Sequence, residues 1–135
     1  MKITKLEGRS IVPGYGRGPA LVSMKPISFL GGVDSNTGLI IERGHDLKGC
    51  NLTGRVLCFP YGHGSTVGSY VLYSLAKRGL APKAIVNQTA DPVVVVGAII
   101  SEIPMVDSVD IQQIATNDDV EVDGHKGIVK IVRGK

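Results

Sequence analysis

The sequence lacks the features of a nucleic-acid-binding or membrane-surface protein. It has no Trp, and aromatic residues make up only 4% of the chain. Single-stranded nucleic acids are bound largely by aromatic rings that stack on bases and by clustered cations. The 15 basic residues are scattered without a run, and the formal net charge is only +3. We therefore expect neither a nucleic acid nor an anionic membrane as a partner.

Cysteine and long apolar runs are also scarce. Cys50 and Cys58 are the only cysteines, whereas an iron–sulfur cluster usually takes about three or four thiolates. The three histidines show no metal-binding spacing, so this chain is expected to bind neither a cluster nor another metal. The longest apolar run, residues 93–100, is far shorter than the roughly 20 residues that span a bilayer. The first seven residues lack the apolar region of a signal peptide, so we expect a cytoplasmic protein with reduced thiols.

Glycine, by contrast, is abundant, at 18 of 135 residues, nearly double the usual ~7%. Most glycines end short apolar segments, which indicates many tight turns. Strands are predicted at residues 3–6, 20–23, 39–41, 53–59 and 83–87. The alternating glycines of residues 14–19 differ from a dinucleotide-binding fingerprint and predict a structural turn. Arg17 in that segment is the one side chain there that could reach an anion.

Two helices are predicted. The first begins near Ser65 or Thr66 and ends at Arg78, because apolar residues recur at helical spacing and Gly79 suits the position after a helix. The second is predicted from Asp91, as N-cap before Pro92, to Glu102. The four valines at 93–96 favour a strand there instead, and this alternative stays open.

The C-terminal part of the sequence is typical of a hairpin. Short strands at residues 120–122 and 128–132 flank a turn that contains His125. The whole chain, residues 1–135, is therefore expected to form one α/β or β-rich mixed domain, a sheet or partial barrel with about two packed helices.

A glycine-rich segment at residues 60–69 lies between the strongest predicted strand and the strongest predicted helix. Its glycines let a ligand approach the backbone, and unpaired N–H groups at a helix start suit a carboxylate or phosphate. Ser65 and His63 would lie at the edge of such a site. An equally weighted reading is a turn whose Ser merely caps the helix. No residue in the sequence is identifiable as a base that partners Ser65.

The same segment carries a family resemblance. Residues 61–66 read Tyr-Gly-His-Gly-Ser-Thr and resemble the active-site loop of the aconitase swivelling domain, Tyr-Gly-x-Gly-Ser-Ser. Residues 16–21, 28–34, 64–72, 90–104 and 122–124 are similar to segments of one branch, the aconitase X small subunit. The resemblance covers nearly the whole chain, and together these segments are more specific than any one of them. His63 is a departure, because the branch favours Lys or Arg at that position.

The resemblance implies an aconitase-like swivelling β/β/α domain in a hydro-lyase that is active only with a large subunit. That partner would carry the iron–sulfur cluster, and this chain none. Ser65 would be the catalytic base, and Gly64, Thr66 and His63 would bind a small anionic substrate. The implied reaction dehydrates (R)-5-phosphomevalonate to trans-anhydromevalonate 5-phosphate in a mevalonate pathway of isoprenoid synthesis. Dehydration of cis-3-hydroxy-L-proline is the alternative, and a non-catalytic small-molecule binding domain is another.

Overall fold

A computed structural model describes residues 1–134. Its strands are β1 (Lys2–Glu7), β2 (Arg9–Val12), β3 (Tyr15–Val22), β4 (Val56–Phe59), β5 (Ala84–Asn87), β6 (Met105–Asp107), β7 (Asp119–Asp123) and β8 (Ile128–Arg133). Its helices are α1 (Phe29–Gly32), α2 (Gly68–Lys77) and α3 (Pro92–Ser101), with a 3₁₀ helix at Ile111–Gln113. No helix within residues 1–134 is long and apolar enough to cross a membrane.

The strands form one mixed sheet in the order β1-β8-β7-β3-β4-β5-β6-β2. Strands β3 to β6 run parallel, while the β7–β8 hairpin, β1 and β2 pair antiparallel to their neighbours. The two edge strands, β1 and β2, are separated along the chain by Gly8 alone. A side chain at Gly8 would overlap Val106 and Val109. The sheet therefore curls, and the bend at Gly8 connects its two edge strands along the chain. The sheet is not closed into a barrel.

The parallel strands determine where the loops gather. Helix α2 connects β4 to β5, and α3 connects β5 to β6. Both β4 and β5 are buried along their whole length, as expected for parallel strands covered on both faces. Leu57 and Phe59 of β4 pack into the core beneath the helices, and Val56 and Cys58 pack into the core against β7 and β8. Loops that follow parallel strands lie at the carboxyl edge of the sheet, where ligand sites of such folds form.

Most predicted elements are confirmed, with three corrections. Of the predicted turn at residues 14–19, residues 15–19 are instead the start of β3, where Gly18 passes so close to Gly54 that a Cβ would lie 2.6 Å from its carbonyl oxygen. Arg17 is not available to an anion there, because it pairs with Asp119 across the sheet at 2.6 Å. Residues 39–41 form only isolated bridges instead of a strand.

Helix α2 begins later than predicted, at Gly68. Gly68 and Ser69 donate to the carbonyl oxygens of Ser65 and Thr66 in a tight turn that precedes the regular helix. The predicted end is confirmed, since Gly79 follows the helix with a φ of +72°.

The second predicted helix is confirmed as α3. The Asp91 carboxylate accepts from Val93 N at 3.1 Å, and Pro92 occupies the first turn. These local signals decide between the helix and the strand that the valines favoured. Gly97 lets α2 pack closely, because a Cβ there would lie 2.7 Å from Leu72 Cδ1.

Candidate active site

The loop at residues 60–67 connects β4 to α2 and is held by the loop that follows β5. Asn87 Nδ2 donates to the carbonyl oxygen of Phe59 at 2.9 Å. Gln88 N and Thr89 N both donate to the carbonyl oxygen of Pro60, at 3.1 and 3.0 Å. The start of the loop is therefore fixed to the carboxyl edge of the sheet.

Asp91 anchors the next part of the loop. Its Oδ1 accepts from Gly62 N at 3.0 Å, while its Oδ2 caps α3 through Val93 N. A Cβ at Gly62 would lie 2.6 Å from the same carboxylate. One carboxylate therefore ties the loop to the start of α3, and the site requires glycine at position 62 for this contact.

Residues 27 and 28 support the opposite side of the loop. Ile27 N donates to the carbonyl oxygen of Tyr61 at 3.3 Å, and His63 N donates to that of Ile27 at 3.1 Å. Gly64 has a φ of +92°, a conformation that favours glycine, and it packs against the Ser28 hydroxyl. This turn presents Ser65 at the surface.

The Ser65 side chain is exposed and only weakly engaged. Its Oγ accepts from Val67 N at 3.2 Å, and among residues 1–134 the hydroxyl donates to no acceptor. The hydroxyl is thus open to an approaching molecule.

Three successive backbone N–H groups beside Ser65 are unpaired. Within the part of the chain that the structure describes, the N–H groups of Gly64, Ser65 and Thr66 donate to no protein atom, and all three residues are exposed. Consecutive free N–H groups at such a turn form an anion-binding concavity. The structure therefore places the free N–H donors of Gly64, Ser65 and Thr66 side by side. This geometry suits an anion, and the role of these residues in substrate binding stays a prediction.

His63, the remaining predicted site residue, lines a different cleft from Thr66. Its side chain is 47% exposed, and Nε2 lies 3.9 Å from Glu42 Oε2. Glu42 Oε1 accepts from Ser28 N at 3.1 Å, so this carboxylate supports the residue that packs on Gly64, while its distance to His63 is too long for a hydrogen bond.

Comparison with known proteins places this arrangement in a family. The sequence profile described as the Aconitase X swivel domain matches residues 5–131. The chain belongs to this family. The small subunit of phosphomevalonate dehydratase from Pyrococcus furiosus is 52% identical over 128 residues, which cover 95% of this chain and 96% of that protein. The same subunit from Methanocaldococcus jannaschii is 55% identical over 128 residues, or 95% and 98% of the two chains.

A solved structure confirms the fold. The crystal structure of Thermococcus kodakaraensis aconitase X in its holo-form matches with a TM-score of 0.94 and 50% identity. The match covers 96% of this chain and 99% of that chain. The expected swivel-domain fold is therefore confirmed, with an open eight-stranded sheet in place of a partial barrel.

One face of this aconitase X swivel domain is unusually apolar. Helix α3 contains no charged residue yet leaves Val96, Ile99 and Ile100 exposed, next to Tyr70 and Tyr73 of α2. We call these five side chains the apolar helix face. A helix that is apolar on all sides is normally buried. The face is continuous with the Ser65 loop through a cleft of about 320 Å³ that Thr66, Tyr70 and Val96 line.

An ion pair between the exposed Arg9 and the buried Asp107 supports the loop after β5, and the sequence did not reveal it. Asp107 is 2% exposed and receives Arg9 Nε and Nη2 at 2.9 and 2.8 Å. Asp107 also accepts from Ala90 N at 2.9 Å, in the residue before Asp91. Only the pairing of β2 with β6, which sets Arg9 opposite Asp107, brings the two together.

The donor groups of this swivel domain do not fit an iron–sulfur cluster. Within residues 1–134 no three His, Cys, Asp or Glu side chains lie together as a metal site would require. Both cysteines are free, and burial raises the pKa of the Cys58 thiol, which disfavours the thiolate that a cluster needs. His125 lies exposed in the β7–β8 turn, and the buried His45 ring contacts the carbonyl oxygen of Pro26 at 3.1 Å.

Proposed function

We propose that this chain is the small subunit of a dehydratase that converts (R)-5-phosphomevalonate to trans-anhydromevalonate 5-phosphate, with Ser65 as the base. The observation that carries the proposal is the exposed Ser65 beside three free N–H groups, on a chain that matches 96% and 98% of the length of two relatives that bear this enzyme's name. A base, an anion site and an open surface are what such a reaction needs from this subunit.

A large partner subunit completes the enzyme in this proposal. It carries the iron–sulfur cluster, for which this chain has no donor set, and residues 1–135 act as a swivelling domain that closes over it. When bound, the cluster supplies a Lewis acid for the departing hydroxyl. The swivel domain supplies the proton acceptor and the surface that excludes water.

The reaction is a β-elimination. The Ser65 alkoxide takes a proton from the carbon beside the substrate carboxylate, which breaks the C–H bond and forms an O–H bond. The released electron pair becomes the carbon–carbon double bond, and the C–O bond of the hydroxyl on the next carbon breaks. The hydroxide takes up a proton from solvent or from a partner-subunit acid and leaves as water, and Ser65 returns its proton to solvent before the next turnover. Gly64, Thr66 and His63 hold the anionic substrate so that its C–H bond faces Ser65 Oγ.

A serine hydroxyl is far too weak a base at neutral pH without help. The start of α2 favours the alkoxide, but a helix N-terminus typically contributes only about 0.3–2 kcal/mol, or at most about one and a half pKa units. Cationic groups must supply the larger part of the stabilisation. The exposed position of Ser65 lets a partner subunit place such groups against it.

A direct assay tests the substrate. The chain is co-expressed with a candidate large subunit, the cluster is reconstituted anaerobically, and water loss from 5-phosphomevalonate and from cis-3-hydroxy-L-proline is measured. We expect turnover of the phosphorylated substrate only when both chains are present. Turnover of the proline derivative alone would replace the substrate, and activity of this chain by itself would contradict the two-subunit mechanism.

The apolar helix face is the surface on which the large subunit packs in this proposal. Ile99→Glu places a charge at its centre, where Ile99 is 54% exposed, and should weaken assembly at least about tenfold, because a charge buried at an interface is unpaired. Analytical ultracentrifugation of the mixed subunits measures this. The matched control is Ile3→Glu, since Ile3 on edge strand β1 is 52% exposed. Equal weakening by both variants, or by neither, would place the interface elsewhere.

A further inference from the structure

An open cleft of about 280 Å³ adjoins the Ser65 loop on the side of His63. We call it the basic cleft. Three segments that are distant in sequence form it, with Lys25 from the segment after β3, Glu42 to His45 from the following loop, and His63 from the Ser65 loop itself. His63 therefore belongs both to the loop that carries Ser65 and to the wall of this cleft.

Arg43 is an available cation in the basic cleft. Of the six arginines, Arg43 alone makes no side-chain hydrogen bond or ion pair within residues 1–134; Arg9, Arg17, Arg55, Arg78 and Arg133 all donate to protein acceptors. Lys25 Nζ donates once, to the carbonyl oxygen of Gly44 at 3.0 Å. An ammonium group has three donors, so Lys25 retains capacity for a further acceptor.

The only carboxylate that lines the cleft is already engaged. Glu42 Oε1 accepts from Ser28 N at 3.1 Å, and Oε2 faces His63 Nε2 at 3.9 Å. The distance to His63 is too long for a hydrogen bond, and Glu42 forms no ion pair with Arg43 within residues 1–134. Asp46, which follows in the same loop, accepts from Ser23 Oγ at 2.6 Å and does not line the cleft.

The loop that presents Arg43 is held in place by His45. This ring is buried, and its Nδ1 lies 3.0 Å from both Leu47 N and Asp46 Oδ1, while its Nε2 lies 3.1 Å from the carbonyl oxygen of Pro26. The contact with Pro26 ties the loop to the segment that carries Lys25. The cations of the basic cleft thus stand on a supported backbone, while their charged ends face solvent.

We propose that the basic cleft binds the phosphate group of the substrate, an assignment that rests on the function proposed above. Arg43 donates two parallel hydrogen bonds to the phosphate oxygens, and Lys25 and His63 add further donors. His63 and Ser65 are two residues apart, so their Cα atoms lie within about 7 Å. One small substrate can therefore place its phosphate in the cleft and its carboxylate, with the adjacent C–H bond, at the Ser65 loop.

The test is a kinetic comparison on the reconstituted two-subunit enzyme. Arg43→Gln and Lys25→Gln should each raise KM for 5-phosphomevalonate about 10–100-fold, as expected for a lost hydrogen bond to a charged group, with little change in kcat. Arg43→Lys should give an intermediate KM, because it keeps the charge but not the two-pronged geometry. The matched control, Arg78→Gln at the exposed end of α2, should leave KM unchanged.

Inorganic phosphate provides an independent measurement. It should inhibit the wild-type enzyme in competition with the substrate, and its inhibition constant should rise in Arg43→Gln by a similar factor to KM. If the wild-type enzyme is active, and Arg43→Gln and Lys25→Gln have the same KM and the same inhibition constant for phosphate as wild type, the cleft assignment is overturned. The proposed function would still stand in that case. A wild-type enzyme that does not act on 5-phosphomevalonate would overturn the proposed function itself.

Discussion

Replacement of Ser65 by Ala should lower kcat of the assembled enzyme by about 10²–10⁴-fold, the contribution typical of a general base. Ser65 Oγ makes one weak contact in the folded chain, with Val67 N at 3.2 Å, and the side chain is exposed. Loss of this contact should lower the free energy of unfolding by only about 0.5–1.5 kcal/mol. The expected result is an assembled enzyme that does not turn over, measured as kcat at saturating substrate.

The control for Ser65→Ala is Ser74→Ala near the other end of α2. It removes a hydroxyl whose only contact is a long one, 3.5 Å, from Arg78 Nε, and should leave kcat unchanged. A Ser65→Ala enzyme with wild-type kcat would mean that another group takes the proton. Equal losses in both variants would instead indicate general damage to the helix.

Replacement of Asp107 by Ala should destabilise the chain by about 2–3 kcal/mol. Asp107 is 2% exposed and accepts from Arg9, Ala90 N and Ser108. The loss leaves the partly buried N–H of Ala90 without its acceptor and removes hydrogen bonds to a charged group, each of which typically contributes about 1.5–3 kcal/mol. Arg9 is 66% exposed and can be solvated when its partner is removed. The expected loss of unfolding free energy is therefore smaller than for an isolated buried charge. Urea denaturation followed by circular dichroism measures the difference.

The Asp107 contribution should also depend on pH. Burial raises the pKa of Asp107, but the hydrogen bonds from Arg9, Ala90 N and Ser108 together lower it by a larger amount. The pKa in the folded chain is therefore below its ordinary value. Such a group stabilises the fold above the pKa of the unfolded chain, about 3.9, and this stabilisation disappears as the pH falls through the lower folded pKa. The difference in unfolding free energy between wild type and Asp107→Asn should therefore shrink below about pH 4.

The exposed Asp110 provides the matched control for Asp107. Its carboxylate makes a single local bond, to Gln112 N at 3.1 Å, so Asp110→Ala should cost no more than about 1 kcal/mol. If Asp107→Ala is no more destabilising than Asp110→Ala, the ion pair between β2 and β6 does not stabilise this edge of the sheet. A loss of catalytic rate in Asp107→Ala is also expected, because Ala90 precedes the Asp91 anchor of the Ser65 loop.

Elements with strong local signals were predictable from the sequence. Gly79 after α2, and Asp91 with Pro92 before α3, mark helix boundaries through interactions within one or two turns. The start of α2 was placed too early because a Ser before a helix is a common cap, whereas here Ser65 lies in a tight turn before Gly68. Local capping rules cannot distinguish the two arrangements.

The errors arise from contacts between distant segments. Gly16 and Gly18 have the composition of a turn, but they lie in β3 because Lys83 and Gly54 pass too close for side chains. Such an approach is invisible until the strand order is known. The order itself sets β1 and β2 at opposite edges of the sheet although one residue separates them, which no local pattern indicates.

The same distinction between local and distant contacts applies to the residues of the site. Ser65, Gly64 and Thr66 are adjacent in sequence, so the glycine-rich motif was sufficient to locate them. The groups that hold the loop, Asp91 and Glu42, and the cations of the basic cleft, Lys25 and Arg43, come from separate segments. Sequence spacing cannot bring them together, because their proximity depends on the carboxyl edge of the parallel strands and on the loop that follows α1.

The most direct test of the central claim follows the proton that Ser65 is proposed to remove. The assembled wild-type enzyme and its Ser65→Ala variant are incubated with 5-phosphomevalonate that carries deuterium on the carbon beside the carboxylate, and release of the label to water is measured. The account predicts that wild type releases the label and turns over more slowly than with unlabelled substrate, while Ser65→Ala releases almost none. Release of the label by Ser65→Ala at the wild-type rate would contradict the assignment of Ser65 as the base.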